Sequence, residues 1–551
     1  PDPATRRPRP AAGTWHLGRD ETGREIWATA ADVRQHIAVP GTTGAGKTTA
    51  ILSLLANPLA QGSGFVLVNG KGDRDTFGDV LALARRLGRD DDVRVLNFMV
   101  ASGGRDSHTF NPFATGNADA VREMLVSLLG EQGPNDGNGV FRDRAVALVG
   151  TVAPVLAWLR DHRGMPLNID AIRVALELRW IWRMAKERSA GVRDAATGQT
   201  RQVACPDIPD ELVWPLQAYL GELPGFDPDL PLDKQRGEEP SKQHGYAQMY
   251  FTQVFQQLGV SLGHVFRCEG ADIDMRDVVL NRRILVVNIP ALENSEATNA
   301  ALGRLVVASL RGMMAQLLGV SLEGEYGGGR KEGMGDAPFA VVLDELAAYA
   351  SGDLTPMLAQ GRSLNVAFLL GFQEVPGIWA RLGERTATLL GNANITIAMR
   401  QAEAGRTREW IEKTAGQTSV TQATAWHGTS DGVYREARSA EVRTVSRVEW
   451  NDLTSLLEGE AVVLAGGRRI YANVLHATVS DPGPKRIGRT VALAPLDAGA
   501  LRAEEDRLDA LAAAIALEGR AADDGAAPAS PALEAMVEAF RRAAGAGLGA
   551  W

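Results

Sequence analysis

The sequence predicts an α/β fold in which a mostly parallel sheet surrounds a phosphate-binding loop and is interrupted by an all-helical insertion. Three observations carry this prediction. The octapeptide Gly41-Thr-Thr-Gly-Ala-Gly-Lys47-Thr48 sits between a short apolar strand and a helical segment, apolar runs of strand length recur on both sides of the middle of the chain, and residues 114–275 between them follow a helical period. Strands alternating with helices at this spacing imply a parallel sheet covered on both faces.

In chain order, alternation from Trp15 to Ile26 around a turn at Thr22-Gly23 predicts a hairpin, and His36-Ile-Ala-Val39 predicts a buried strand. After the glycine loop, Ile51, Leu54 and Leu55 have helical spacing; Phe65-Val-Leu-Val68 is a second strand ending at Asn69-Gly-Lys-Gly-Asp73, and Val93 to Phe98 a third. Strand signals resume at Arg283–Ile289, Phe339–Leu343, Asn365–Leu370, Asn394–Ala398 and Glu460–Leu464. The predicted organisation is a linker over 1–12, the first part of a nucleotide-binding domain over 13–113, an all-α domain over 114–275, the second part over 276–490, and an acidic, alanine-rich tail over 491–551. Gly324 to Gly335 reads as a flexible glycine-rich connection, Gly428 to Arg447 as a polar stretch between alternating segments, and Leu501, Leu508, Leu511 and Ile515 fit one face of a helix.

Composition narrows the function classes. At 551 residues the chain is long enough for two or three folded units, and 45% hydrophobic with 23% charged residues excludes wholesale disorder and fibrous or disulfide-scaffold classes. A net charge of −9 argues against a surface coated for indiscriminate duplex binding, while a local basic channel stays open. The tail from Val491 to Trp551 holds ten acidic residues against five arginines, which concentrates that acidity. Cys205 and Cys268 form no CxxC pair, and the eight histidines form no HExxH pair, so neither a disulfide framework nor a metal-ligand cluster is expected. No continuous apolar run approaches the ~18 residues that cross a bilayer, so no spanning segment is expected either.

The octapeptide matches GxxxxGK[ST] in the context the chemistry requires. Glycines 41, 44 and 46 let the loop Gly41, Thr42, Thr43, Gly44, Ala45, Gly46 curl so that its N–H groups face phosphate oxygens at the positive end of the following helix. Lys47 then reaches the β- and γ-phosphates, Thr48 offers its hydroxyl to Mg²⁺, and Thr49 completes the nucleotide-binding stretch. Such a loop needs a carboxylate at a neighbouring strand end. Phe339-Ala-Val-Val-Leu343 supplies Asp344 for the magnesium shell and Glu345 to polarise the attacking water. Gln373, after the apolar run from Val366 to Phe372, is placed to sense the γ-phosphate. Arg362 is the candidate for an arginine delivered to the active site of an adjacent subunit, and Lys71 with Asp73 lies at the carboxyl end of the second strand, where ligands bind in open α/β folds.

Together GTTGAGKT, GFVLVNGKGD, VLNFM with FNPFATG, RDVVLNRRILVVNIPALE, VVLDEL, AQGRSLNVAFLLGFQE and GEAVVLAGGRRIYA resemble the coupling-protein ATPases of type IV secretion and conjugation systems, above all the type IVB branch of Dot/Icm and IncI-plasmid systems. The resemblance covers residues 13 to 480. It implies a RecA-like domain binding ATP and Mg²⁺, the inserted all-α domain, and a homo-hexamer, with the isolated chain monomeric and slow in turnover. It also implies a place on the cytoplasmic face of the bacterial inner membrane beside secretion-system components, and membrane attachment through an N-terminal segment outside this sequence. Its implied cargo is a DNA–relaxase complex, protein effectors, or both, with adaptors on the C-terminal tail. Lys47, Thr48, Asp344, Glu345, Gln373 and Arg362 match the family's motif positions. Two alternatives remain open at this level, a nucleotide-regulated docking platform and a soluble FtsK-like DNA translocase.

Overall fold

A computed structural model describes residues 13–478 except 74, 102, 130–138, 194–199, 236, 269, 319–336, 424–425, 429–433 and 437–439; beyond 478 it describes 483, 485–488, 502, 506–510 and 535. The glycine-rich connection and almost all of the acidic tail lie outside the described residues. The chain divides after Arg489 into two compact units, the second represented mainly by a helical stretch at 506–510.

The first unit contains β1 (Trp15–Asp20), β2 (Glu25–Ala28), β3 (Ile37–Pro40), β4 (Phe65–Asn69) and β5 (Val93–Asn97), then β6 (Ser189–Arg193) and β7 (Thr200–Ala204). It continues with β8 (Ile284–Asn288), β9 (Phe339–Asp344), β10 (Val366–Phe372), β11 (Ile395–Met399), β12 (Gln417–Ala423), β13 (Trp426–Gly428), β14 (Tyr434–Glu436), β15 (Ala440–Ser446), β16 (Glu460–Ala465) and β17 (Arg468–Val474). Eleven strands form one sheet in the order β2-β1-β17-β16-β11-β3-β10-β9-β4-β8-β5. From β11 to β5 every pair is parallel. From β11 outward to β2 every pair is antiparallel. The Asp20 carboxylate accepts the Thr22 and Arg24 N–H groups and closes the expected first hairpin.

Period-two alternation divides the parallel strands between two cores. In β10, Val366, Phe368, Leu370 and Phe372 face one side, and Ala367 and Leu369 the other. The second side packs on helices Lys47–Leu54 and Asp75–Arg86. The first runs without a break into the inserted helices, among them Gly139–Arg163, Asp210–Glu222 and Glu239–Gln256. The insertion is not purely helical: β6 and β7 pair as a two-stranded antiparallel ribbon, closed at its base by the Cys205 N–H to Arg188 carbonyl bond. The polar stretch between Gly428 and Arg447 belongs in its described parts to two further ribbons, β12 with β15 and β13 with β14.

Glu296–Leu318 bears on the expectation that no segment spans a bilayer. This 23-residue helix is long and apolar enough to cross a membrane, yet half of its most apolar window is buried within the protein. Leu302, Leu305, Val306, Leu310 and Met313 pack into the core on the insertion side of the sheet. Arg304 and Arg311 break the run in the sequence and lie off that buried stripe, the pattern of a core helix.

Candidate nucleotide site

The carboxyl ends of β3, β9 and β10 bring the loop and the carboxylates together. β3 lies beside β10, and β10 beside β9, all parallel, so Gly41, Asp344 and Gln373 emerge on one edge. Positive φ angles of 76° at Gly44 and 84° at Gly46 supply the curl, a conformation costly for a residue with a Cβ. The loop is held by main-chain bonds from the Gly41 N–H to Phe372 and from the Thr42 N–H to Arg400, and Gly459 donates its N–H to the Ala45 carbonyl.

Lys47, first residue of its helix, is 4% exposed, and its Nζ lies 2.7 Å from Asp344 Oδ1 and 3.1 Å from Glu345 Oε1. Thr48 Oγ1 donates to Asp344 Oδ2 at 3.1 Å. Gln373 Nε2 donates to both Glu345 oxygens at 3.0 and 3.1 Å, and Thr43 Oγ1 donates to Gln373 Oε1 at 3.3 Å. Lys71 Nζ stands 3.4 Å from Glu345 Oε1. Burial pulls the Glu345 carboxyl upward, but the Lys47 charge, the Gln373 amide and Lys71 outweigh it and hold the group below the usual carboxylate range. Glu345 itself has φ 54°, a left-handed conformation uncommon for a non-glycine residue and found preferentially at functional sites.

Thr49 follows Thr48 on the same helix and is exposed. Two of the residues singled out in the sequence stand apart from the cluster. Asp73 accepts the Thr76 N–H at 2.8 Å and caps helix Asp75–Arg86, which is a structural role. Arg362 sits before β10, at the opposite end of the strand from Gln373, and is exposed.

Several residues at the site had not been anticipated. Gly371 lies against the Asp344 carboxylate: a Cβ there would come 2.7 Å from Asp344 Oδ1. A glycine inside an apolar strand is a known mark of close approach, so this signal was readable. The buried Tyr349 hydroxyl donates to the Asp344 carbonyl at 2.9 Å and fixes the turn that carries both carboxylates. Arg400 Nη2 donates to the Gly44 carbonyl at 3.0 Å and braces the loop tip. No local pattern marks either of these two.

The donor set suits Mg²⁺, which is bound through one or two carboxylates plus substrate phosphates and retained water. Thr48 and Asp344 present such a partial shell, and among the described residues no group of three or more His, Cys, Asp or Glu forms a fuller cage.

Comparison with known proteins decides the relationship. The chain is 32% identical over 511 residues to the type 4 coupling protein DotL of Legionella pneumophila, an alignment covering 90% of this chain. This chain is a homologue of DotL. It spans 64% of the length of DotL. Residues 338–456 match the family model described as the TraM recognition site of TraD and TraG. Among solved structures, the unbound bacterial conjugative coupling protein TrwBdeltaN70 superposes with a TM-score of 0.52 at 17% identity, covering 86% of this chain and 92% of that one. The plasmid coupling protein TrwB in complex with ADP and Mg²⁺ gives 0.52 at 16% identity over the same shares. The chain's fold is therefore α/β, RecA-like, around a P-loop.

Proposed function

We infer that this coupling protein hydrolyses ATP with Mg²⁺ and uses the cycle to recruit DNA–relaxase or protein substrates and deliver them to a type IV secretion channel. One observation carries the reading: Lys47, Thr48, Asp344 and Glu345 meet in one buried cluster although 297 residues separate Lys47 from Asp344. A triphosphate in the loop competes with the two carboxylates for Lys47. Lys47 then takes the β- and γ-phosphates, Thr48 and Asp344 hold the metal shell, and Glu345 accepts a proton from the attacking water. Held by Thr48 and Asp344, Mg²⁺ would offset charge developing on the transferred phosphoryl group. Gln373, bonded to Glu345 and to Thr43, links the water-activating carboxylate to the loop.

Arg362 acts in a neighbouring subunit. The seven residues of β10 separate it by roughly 20 Å from the carboxyl edge of its own sheet, at about 3.3 Å per residue. It can therefore reach a phosphate only across an interface, which supports the homo-hexameric ring we propose as the working assembly at the inner membrane.

The test combines substrate transfer in a strain carrying Lys47→Ala with nucleotide binding by the purified variant. Loss of both supports a motor. Transfer that persists without nucleotide uptake favours a docking platform and overturns the reading.

A further inference from the structure

On the side of the sheet that carries the insertion, a cleft of about 990 Å³ opens between helix Ala118–Leu128, helix Glu296–Leu318 and the turn Ser351–Asp353. Arg142, Arg276, Arg304, Arg311 and Arg385 line it from four helices. Three carboxylates line it as well, and each has a cation already: Asp353 pairs with Arg311, while Asp119 and Glu123 pair with Arg122, which is not part of the lining. No carboxylate among the described residues pairs with Arg276 or Arg385. In a chain of net charge −9, this is a cleft with an excess of guanidinium groups.

Two further details are those of a built site. Ser351 is 3% exposed, and its hydroxyl has no hydrogen-bond partner among the described residues. Gly352 makes room for Arg385: a Cβ at that position would fall 2.6 Å from Arg385 Nη1. Between the arginines, Ala120, Met124, Ala308 and Ala315 form an apolar floor.

We propose that this cleft is a second anion site, separate from the P-loop, for a phosphorylated small molecule of nucleotide size. Arg276 and Arg385 hold its phosphates, and its flat apolar part lies on the floor. Guanidinium forks match phosphate oxygens two at a time, so a pair without carboxylates selects a ligand with more than one anionic oxygen. The volume is at the upper end of small-ligand pockets. The lining holds no aromatic ring, whereas single-stranded nucleic acid is held by aromatic platforms on which bases stack.

The test is calorimetric titration of the full chain carrying Lys47→Ala, which disables the first site, with ADP, inorganic pyrophosphate and a thymidine oligonucleotide as separate probes. Saturable uptake of ADP or pyrophosphate is expected, weakened about tenfold or more by Arg276→Ala with Arg385→Ala. Gly352→Ala weakens it in the same direction by displacing Arg385. Both arginines are exposed, so the double variant should melt with its parent; if it does not, Arg276→Lys with Arg385→Lys, which keeps the charge and removes the fork, takes its place. Absence of phosphate-probe uptake, or uptake indifferent to these substitutions, overturns the proposal. So does an oligonucleotide that alone binds and alone responds to them, since that assigns the cleft to a nucleic-acid strand.

Discussion

The two edges of the parallel sheet are built on opposite electrostatic plans. At the carboxyl edge Lys47 and Lys71 meet Asp344 and Glu345 within 3.4 Å, a cluster that satisfies its own charge. At the amino edge Arg34, Arg362 and Arg468 surround a hollow of about 450 Å³, and no carboxylate among the described residues pairs with Arg362. The first edge is complete in one chain until phosphate arrives. The second presents Arg362 with no carboxylate partner among the described residues. On the ring proposed above, the two edges would be complementary halves of one site.

The largest effect should come from Lys47→Ala, which removes the phosphate contact and should abolish measurable hydrolysis in the assembled protein. Next, Arg362→Ala should lower turnover about 10³–10⁵-fold, the usual range for an arginine supplied in trans. Mixing Lys47→Ala subunits with Arg362→Ala subunits should then restore part of the activity, because some interfaces regain both groups. Mixtures as dead as their components would break the complementarity of the edges. Glu345→Gln should slow hydrolysis about 10²–10⁴-fold while tightening nucleotide binding, since one competitor for Lys47 is removed; rate and affinity measured together check this. Gly371→Ala should destabilise by about 1–3 kcal/mol and raise the Mg²⁺ requirement by crowding Asp344, read by melting and by metal titration.

The smallest effect sharpens the comparison through a residue at the amino edge. His36, His108 and His244 are buried, each with Nε2 against a backbone carbonyl and Nδ1 against an N–H or hydroxyl donor. Desolvation lowers the pKa of all three below the ordinary 6.5. The unfolded chain therefore binds protons first, and the stabilisation, intact above pH 6.5, is lost as pH falls towards the depressed folded values. Each histidine adds a slope of about 1.4 kcal/mol per pH unit within that window. Denaturant unfolding from pH 7.5 down to pH 5 should show it, less steeply in His36→Gln.

Much of the nucleotide site was legible because its chemistry is local. A curled loop demands glycine, and a metal carboxylate demands an acidic residue at a strand end, so Gly41 to Thr48 and Asp344-Glu345 stand out before any fold is known. The parallel strands were legible for a related reason: runs such as Phe339 to Leu343 are apolar on both faces because both faces are covered. What tertiary context decides was hidden. Nothing near Arg400 marks it as the brace of Gly44, and Asp73 looks like a ligand until helix Asp75–Arg86 claims it as a cap. The ribbon of β6 and β7 escaped because two short, largely polar strands within helical surroundings carry little periodic signal. Glu296–Leu318 did not read as one long apolar helix because Arg304 and Arg311, which lie off its buried stripe, interrupt the apolar run in the sequence.

The depth of Lys47 has a consequence for the loop in the absence of nucleotide. An ammonium this far from solvent is tolerated only beside anions, and the chain carries its own in Asp344 and Glu345. The loop can thus reach its final shape during folding, before any triphosphate is met. In the proposed cycle, each turn would begin as an exchange of partners around one lysine, with the displaced acids released at the moment they are wanted for metal and water.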